Sequence, residues 1–129
     1  MRPGPILFRV TSAVLALQLI LGGLLTFGFI GVGAHEVVGF VLFVLAIATM
    51  AAWLTTKPPF RPMRILTVLI VVLLLFQIML GFATLDTGSQ AIAFLHFANA
   101  LAIFGATISG AFLVLRWDQM AKAIKVEGK

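Results

Sequence analysis

Apolar residues fill this chain in four long stretches, broken only where glycine, proline or charge collects. The stretches cover residues about 8–30, 34–54, 65–85 and 91–115, each near the ~20 residues an α-helix needs to cross about 30 Å of hydrocarbon. The first break holds Gly28, Gly31 and Gly33, and the third runs from Thr84 to Gln90, where Asp86, Thr87 or Ser89 stands ready to cap the next helix. The middle break, Thr55 to Arg64, contains Pro58, Pro59 and Pro62 and is not helical throughout. Short breaks between long spans predict antiparallel neighbours. The expected fold is therefore all-α, an up-and-down four-helix membrane bundle over residues 1–115. In the tail, 116–129, Trp117, Met120, Ala121, Ile124 and Val126 alternate with charges, as in an amphipathic segment lying along the inner membrane surface.

Composition agrees: 62% of residues are hydrophobic and 10% charged, with a mean hydropathy of +1.19, which leaves nothing for a soluble domain. The first apolar stretch is longer than the h-region of a signal peptide, so it reads as a retained helix although Val32-Gly33-Ala34 offers small residues to a peptidase. There is no cysteine, hence no disulfide, no thiolate metal site and no covalent haem attachment.

Charge sets an orientation. The basic residues are Arg2 and Arg9, then Lys57, Arg61 and Arg64, then Arg116, Lys122, Lys125 and Lys129, all at the ends and the central loop. An even number of spans puts those three places on one side, and the positive-inside rule makes it the cytoplasmic side of a prokaryotic-type cell membrane. Trp53 and Trp117, at the same level, read as interfacial belt residues. The net charge of +5 thus reports topology and contact with anionic lipid, and nucleic acid is not expected as a partner.

The two halves repeat. Gln18-Leu19-Ile20-Leu21-Gly22 returns as Gln77-Ile78-Met79-Leu80-Gly81, 59 positions on, and the only histidines, His35 and His96, follow at a spacing of 61. The chain reads as one helical hairpin written twice. His35 lies 22 residues before Lys57 and His96 20 before Arg116, which places both about 30 Å from the inner charges at ~1.5 Å per residue. Helices two and four are diagonal in such a bundle, about 11–14 Å apart when neighbours are about 8–10 Å apart. Two imidazoles at matched depth across that gap are what axial ligation of a haem iron requires. A zinc or copper site asks for three or four protein donors, whereas a haem asks the protein for two.

Small residues one turn on, Gly39 after His35 and Ala100 after His96, would leave room for a macrocycle; further down the same stripes lie Ala46 and Thr49 on helix two and Ile103, Ala106, Thr107 and Gly110 on helix four. Gln18 with Gly22 and Gln77 with Gly81 are i, i+4 pairs. Each glutamine amide needs a partner in lipid and is expected to face a propionate, a backbone carbonyl or the other glutamine. With no outer Lys or Arg, propionates would meet water, Thr87, Ser89, Gln90, backbone amides or a partner protein.

Plainer roles stand beside these. A single histidine near a helix end serves as an interfacial residue or an interhelical hydrogen-bond donor, and Gly105 to Ser109 spacing as helix packing. The twelve phenylalanines fill lipid-facing or core positions, Glu36 is solvated or relays a proton to its neighbour, and Asp86 is a turn residue.

The Gln-x-x-Leu-Gly phrase on helices one and three, with a histidine at the outer start of helices two and four, resembles a four-helix half of haem A synthase and the small b-type membrane cytochromes that share this bundle. The resemblance implies that His35 and His96 are the haem ligands. The synthase carries an acidic residue one turn before a ligand histidine, where this chain has Val32 and Ala93, and often an outer cysteine pair, absent here. It also has two such halves, so synthase activity would need a homodimer and a different acid. The reading that follows is a single-haem b-type cytochrome performing one-electron transfer near the outer face. It would serve as an accessory subunit of a larger redox complex, with quinone a candidate electron partner. The alternatives are a dimeric haem-modifying enzyme and a cofactor-free structural subunit.

Overall fold

A computed structural model describes the backbone of residues 3–127 and the side chains of residues 3–122. It consists of four helices: α1 Pro3–Thr26, α2 Val32–Thr55, α3 Arg61–Thr87 and α4 Gln90–Glu127. All four are long and apolar enough to cross a membrane. Helices are the natural choice for such sequence, because in hydrocarbon every backbone N–H and C=O must find its partner within the segment.

Local chemistry sets the ends. Pro3 and Pro5 fall in the first turn of α1, where their missing N–H groups break no helical bond, so the helix starts before the expected residue 8. It stops at Thr26 because Gly28 turns left-handed (φ 75°), with Gly28 N–H on the Leu25 carbonyl at 3.0 Å and Phe29 N–H on the Leu24 carbonyl at 2.9 Å, a Schellman closure. Gly88 (φ 62°) closes α3 in the same left-handed manner. The carbonyls left at the C-terminal end of α2 accept from Arg64, whose Nε donates to the Trp53 oxygen and Nη2 to the Thr56 oxygen, both at 3.2 Å.

Each helix packs on its sequence neighbours, and α4 returns to α1, while α2 and α4 stay diagonal, as do α1 and α3. The result is the closed up-and-down ring expected of two consecutive hairpins. Its dry core, built from Phe8, Leu15, Leu42, Ala46, Trp53, Met63, Ile70, Leu74, Ile103, Val114 and Trp117, occupies the half nearer the termini and the 56–60 loop. Hydroxyls within it are satisfied: Thr11 and Thr49 share a 2.7 Å bond across α1 and α2, and Thr67 and Thr107 each donate back to a carbonyl one turn earlier at 2.8 Å. Toward the histidines, beyond the mid-bundle Leu15, Leu42, Leu74 and Ile103, Leu80 is the one buried apolar side chain among the described residues. The bundle is thus tightly filled at one end and polar at the other.

Two expectations change. Trp53 and Trp117 do not line a lipid-facing belt: both rings are buried and meet edge to face, centroids 5.8 Å apart, with Phe60 5.4 Å from Trp117. Gly4 makes this possible, since a Cβ there would lie 3.1 Å from the Trp53 ring. The segment after Arg116 is not a separate element either. No proline or glycine interrupts it before Gly128, so α4 continues to Glu127, and Asp118 pairs with Arg9 at 2.7 Å to tie α4 to α1. The side chains of Ile124, Lys125 and Val126, and all of Arg2 and Lys129, lie outside the described residues. Of the phenylalanines, Phe8 alone is fully buried, and nine, among them Phe76, Phe94 and Phe112, face outward where acyl chains would cover them.

Candidate functional site

α2 and α4 start at the end of the bundle away from the termini, and each carries its histidine in the first two turns. The histidines come together across the diagonal: the ring centroids of His35 and His96 are 6.3 Å apart, their planes inclined by 63°. Both rings are half-buried.

Each ring is received by the other helix of its own hairpin. Gly22 faces His35 and Gly81 faces His96, and a Cβ at either glycine would stand 3.2 or 3.3 Å from the imidazole Cε1. These are notches into which the ring edge fits. One turn away on the same helix, Gln18 Nε2 lies 3.2 Å from His35 Nε2, and Gln77 Nε2 lies 3.1 Å from His96 Nε2. Both glutamines therefore face the histidine of their own hairpin, and neither faces the other glutamine.

The network fixes protons. In the second hairpin, Asn99 Nδ2 donates to Leu73 O at 3.0 Å and to Gln77 Oε1 at 2.6 Å. That turns the NH₂ of Gln77 toward His96 Nε2, which must then accept. His96 Nδ1 sits 3.1 Å from the Gln77 backbone carbonyl, an acceptor only, so Nδ1 carries the hydrogen and donates. Nε2 is left with its lone pair, the tautomer found in histidines that bind metals. In the first hairpin, Gln18 Nε2 also donates to the His35 carbonyl at 3.0 Å, so here too Nε2 accepts and Nδ1 carries the hydrogen. Yet His35 Nδ1 and Gln18 Oε1 are both buried without a hydrogen-bond partner.

At Gly39 a Cβ would lie 3.0 Å from Gln18 Nε2, so the space the glycine leaves is taken by the glutamine amide. Ala100, half-buried, holds the matching place in the second hairpin, where Gln77 turns to Asn99 instead. Ala46, Thr49, Ile103, Thr107 and Gly110 are buried farther down the bundle, with Ala106 packed against the core there, and do not line the histidine site. Thr87 is committed to its turn, donating to Ala83 O and accepting from Ser89 N–H. Asp86 is exposed and Glu36 half-buried.

Asn99 is the residue that sequence reasoning missed. It was visible as a lone amide in an apolar span, three positions after His96 and thus on the same helical face.

The donor set can be weighed against a haem. Metal–imidazole bonds of about 2 Å on both sides put two axial nitrogens about 4 Å apart and the ring centres about 6 Å apart. The observed 6.3 Å matches that separation. Among the described residues no three His, Cys, Asp or Glu side chains gather, so the donors number two. The glutamine amides, however, donate to the same Nε2 lone pairs that an iron would use, and they must turn aside for it. Comparison with protein families, with curated proteins and with solved structures finds no match for this chain.

Proposed function

We propose that this protein is a single-haem b-type membrane cytochrome in which His35 and His96 are the axial ligands. The observation that carries this reading is the pair of half-buried imidazoles 6.3 Å apart, each in the tautomer that leaves Nε2 as a donor of its lone pair. A bound haem iron would supply one-electron exchange. The protein's part is to hold the rings, through the Gly22 and Gly81 notches, and to keep water from reaching them from the far end, through the packed core and the Trp53–Trp117 plug. Gln18 and Gln77 keep the ring nitrogens hydrogen-bonded until a metal takes their place, which spares the fold two unsatisfied groups in lipid. With the basic residues cytoplasmic, the site faces outward, suited to an electron partner at that face such as a quinone or a larger redox complex.

One observation favours a second reading, a cofactor-free structural subunit: both Nε2 atoms already have partners, and Gln–His bonds of this kind fasten helices together in membranes. Purification from cells supplied with haem separates the two. The cytochrome shows a Soret band and a reducible six-coordinate low-spin spectrum, lost in His35→Ala and His96→Ala, whereas full helicity with no Soret band refutes it. Mass analysis of extracted porphyrin tests the haem A synthase-like alternative, since only an enzyme would carry hydroxylated or formylated haem.

A further inference from the structure

The two hairpins repeat in sequence but not in hydrogen bonding, and each serves as the control for the other. His96 has its Nδ1–H on the Gln77 carbonyl, and Gln77 is itself held by Asn99. His35 has a buried Nδ1–H with no acceptor, and Gln18 a buried Oε1 with no donor. For the glutamines the cause lies in one position. Asn99 follows His96 by three residues, and the residue three after His35 is Val38, half-buried and unable to donate to Gln18.

A ligand imidazole whose Nδ1–H is engaged by a carbonyl is oriented and made more basic, and loss of such a partner weakens metal binding by about 10- to 100-fold. Resting on the haem reading above, we infer that the two ligands are unequal: His96 is the anchoring ligand and His35 the exchangeable one, so that the His35 side of the iron takes a small neutral molecule of the carbon monoxide class. The exchange changes neither charge nor oxidation state. With haem bound, the bond given up would be the one to His35 Nε2, its electron pair staying on that nitrogen, and one donor pair of the incoming molecule would take its place. The released Nε2 has a hydrogen-bond donor at hand in Gln18, as the 3.2 Å contact shows.

The test uses the full chain with haem b in detergent or nanodiscs. Two quantities are measured: haem retention, from the rate of haem transfer to an excess of apomyoglobin, and carbon monoxide affinity of the reduced protein. His35→Ala should keep its haem and bind carbon monoxide, while His96→Ala should release haem at least about tenfold faster. Val38→Asn, which offers Gln18 Oε1 the donor it lacks but leaves the His35 Nδ1–H without an acceptor, should leave carbon monoxide affinity near wild type. Asn99→Val removes the donor to Gln77 Oε1 but leaves His96 Nδ1–H on the Gln77 backbone carbonyl, so haem release should keep its wild-type rate. Equal haem loss in the two alanine variants, or an Asn99→Val protein that releases haem about tenfold faster, overturns the inequality as assigned to the Nδ1–H bond while leaving the cytochrome intact. A wild-type protein that takes up no haem overturns the cytochrome, and this inference with it.

Discussion

Adding one methyl group at Gly22 tests the notch directly. In Gly22→Ala the new Cβ would lie 3.2 Å from His35 Cε1 and 3.6 Å from Nδ1, so the ring must retreat by a few tenths of an ångström. The Gln18–His35 bond is already 3.2 Å long, at the upper end of the useful range, and that retreat breaks it at about 1 kcal/mol. Alanine in a helix interior returns about 0.5–1 kcal/mol relative to glycine. The two terms nearly cancel, so the fold should change in stability by less than about 0.5 kcal/mol, while a ligand ring displaced by that amount should hold haem about tenfold less tightly. Gly23, the next residue, has nothing within 4 Å of its would-be Cβ and supplies the control. The assay pairs thermal unfolding in detergent, followed by circular dichroism, with haem titration at the Soret band. Gly22→Ala should keep the unfolding midpoint and lose affinity, and Gly23→Ala should keep both. Equal haem affinity in the two variants would refute the reasoning, as would an equal loss in both.

Three further outcomes follow from the packing. Gly110→Ala meets the Phe8 ring and Leu66 and should lower stability by about 1–3 kcal/mol, whereas Gly105→Ala, in open surroundings, should not; thermal unfolding distinguishes them. Thr11→Val and Thr49→Val each leave a buried hydroxyl or its partner short of a bond and should destabilise by about 0.6–1.7 kcal/mol. The double variant should fall short of their sum, and full additivity in the double-mutant cycle would deny the 2.7 Å pair any coupling. Asp118→Asn removes the partner of Arg9, but with the two side chains 59% and 37% exposed the change should stay below about 1 kcal/mol by chemical unfolding.

Much of this molecule is legible in one dimension. Four spans, their antiparallel order and the doubled hairpin follow from run lengths and from residues such as Gly28 and Pro58, because hydropathy and backbone preference belong to short segments and need no knowledge of distant contacts. His35 and His96 were equally visible, being the only imidazoles and sharing a register. What was hidden is which way each helix turns about its axis. In a soluble helix an apolar stripe points at the core, but these helices are apolar on every side, since lipid is as apolar as the interior, and no stripe marks the inner face. Hence the inward turn of Trp53 and Trp117, the use of Gly39 to admit Gln18, and the meeting of each glutamine with its own hairpin's histidine emerge only from packing in three dimensions. The unequal bonding of the two histidine–glutamine pairs emerges there too: Asn99 and Val38 are two letters in apolar runs until folding gives Gln77 Oε1 a donor in Asn99 and leaves Gln18 Oε1 buried without one.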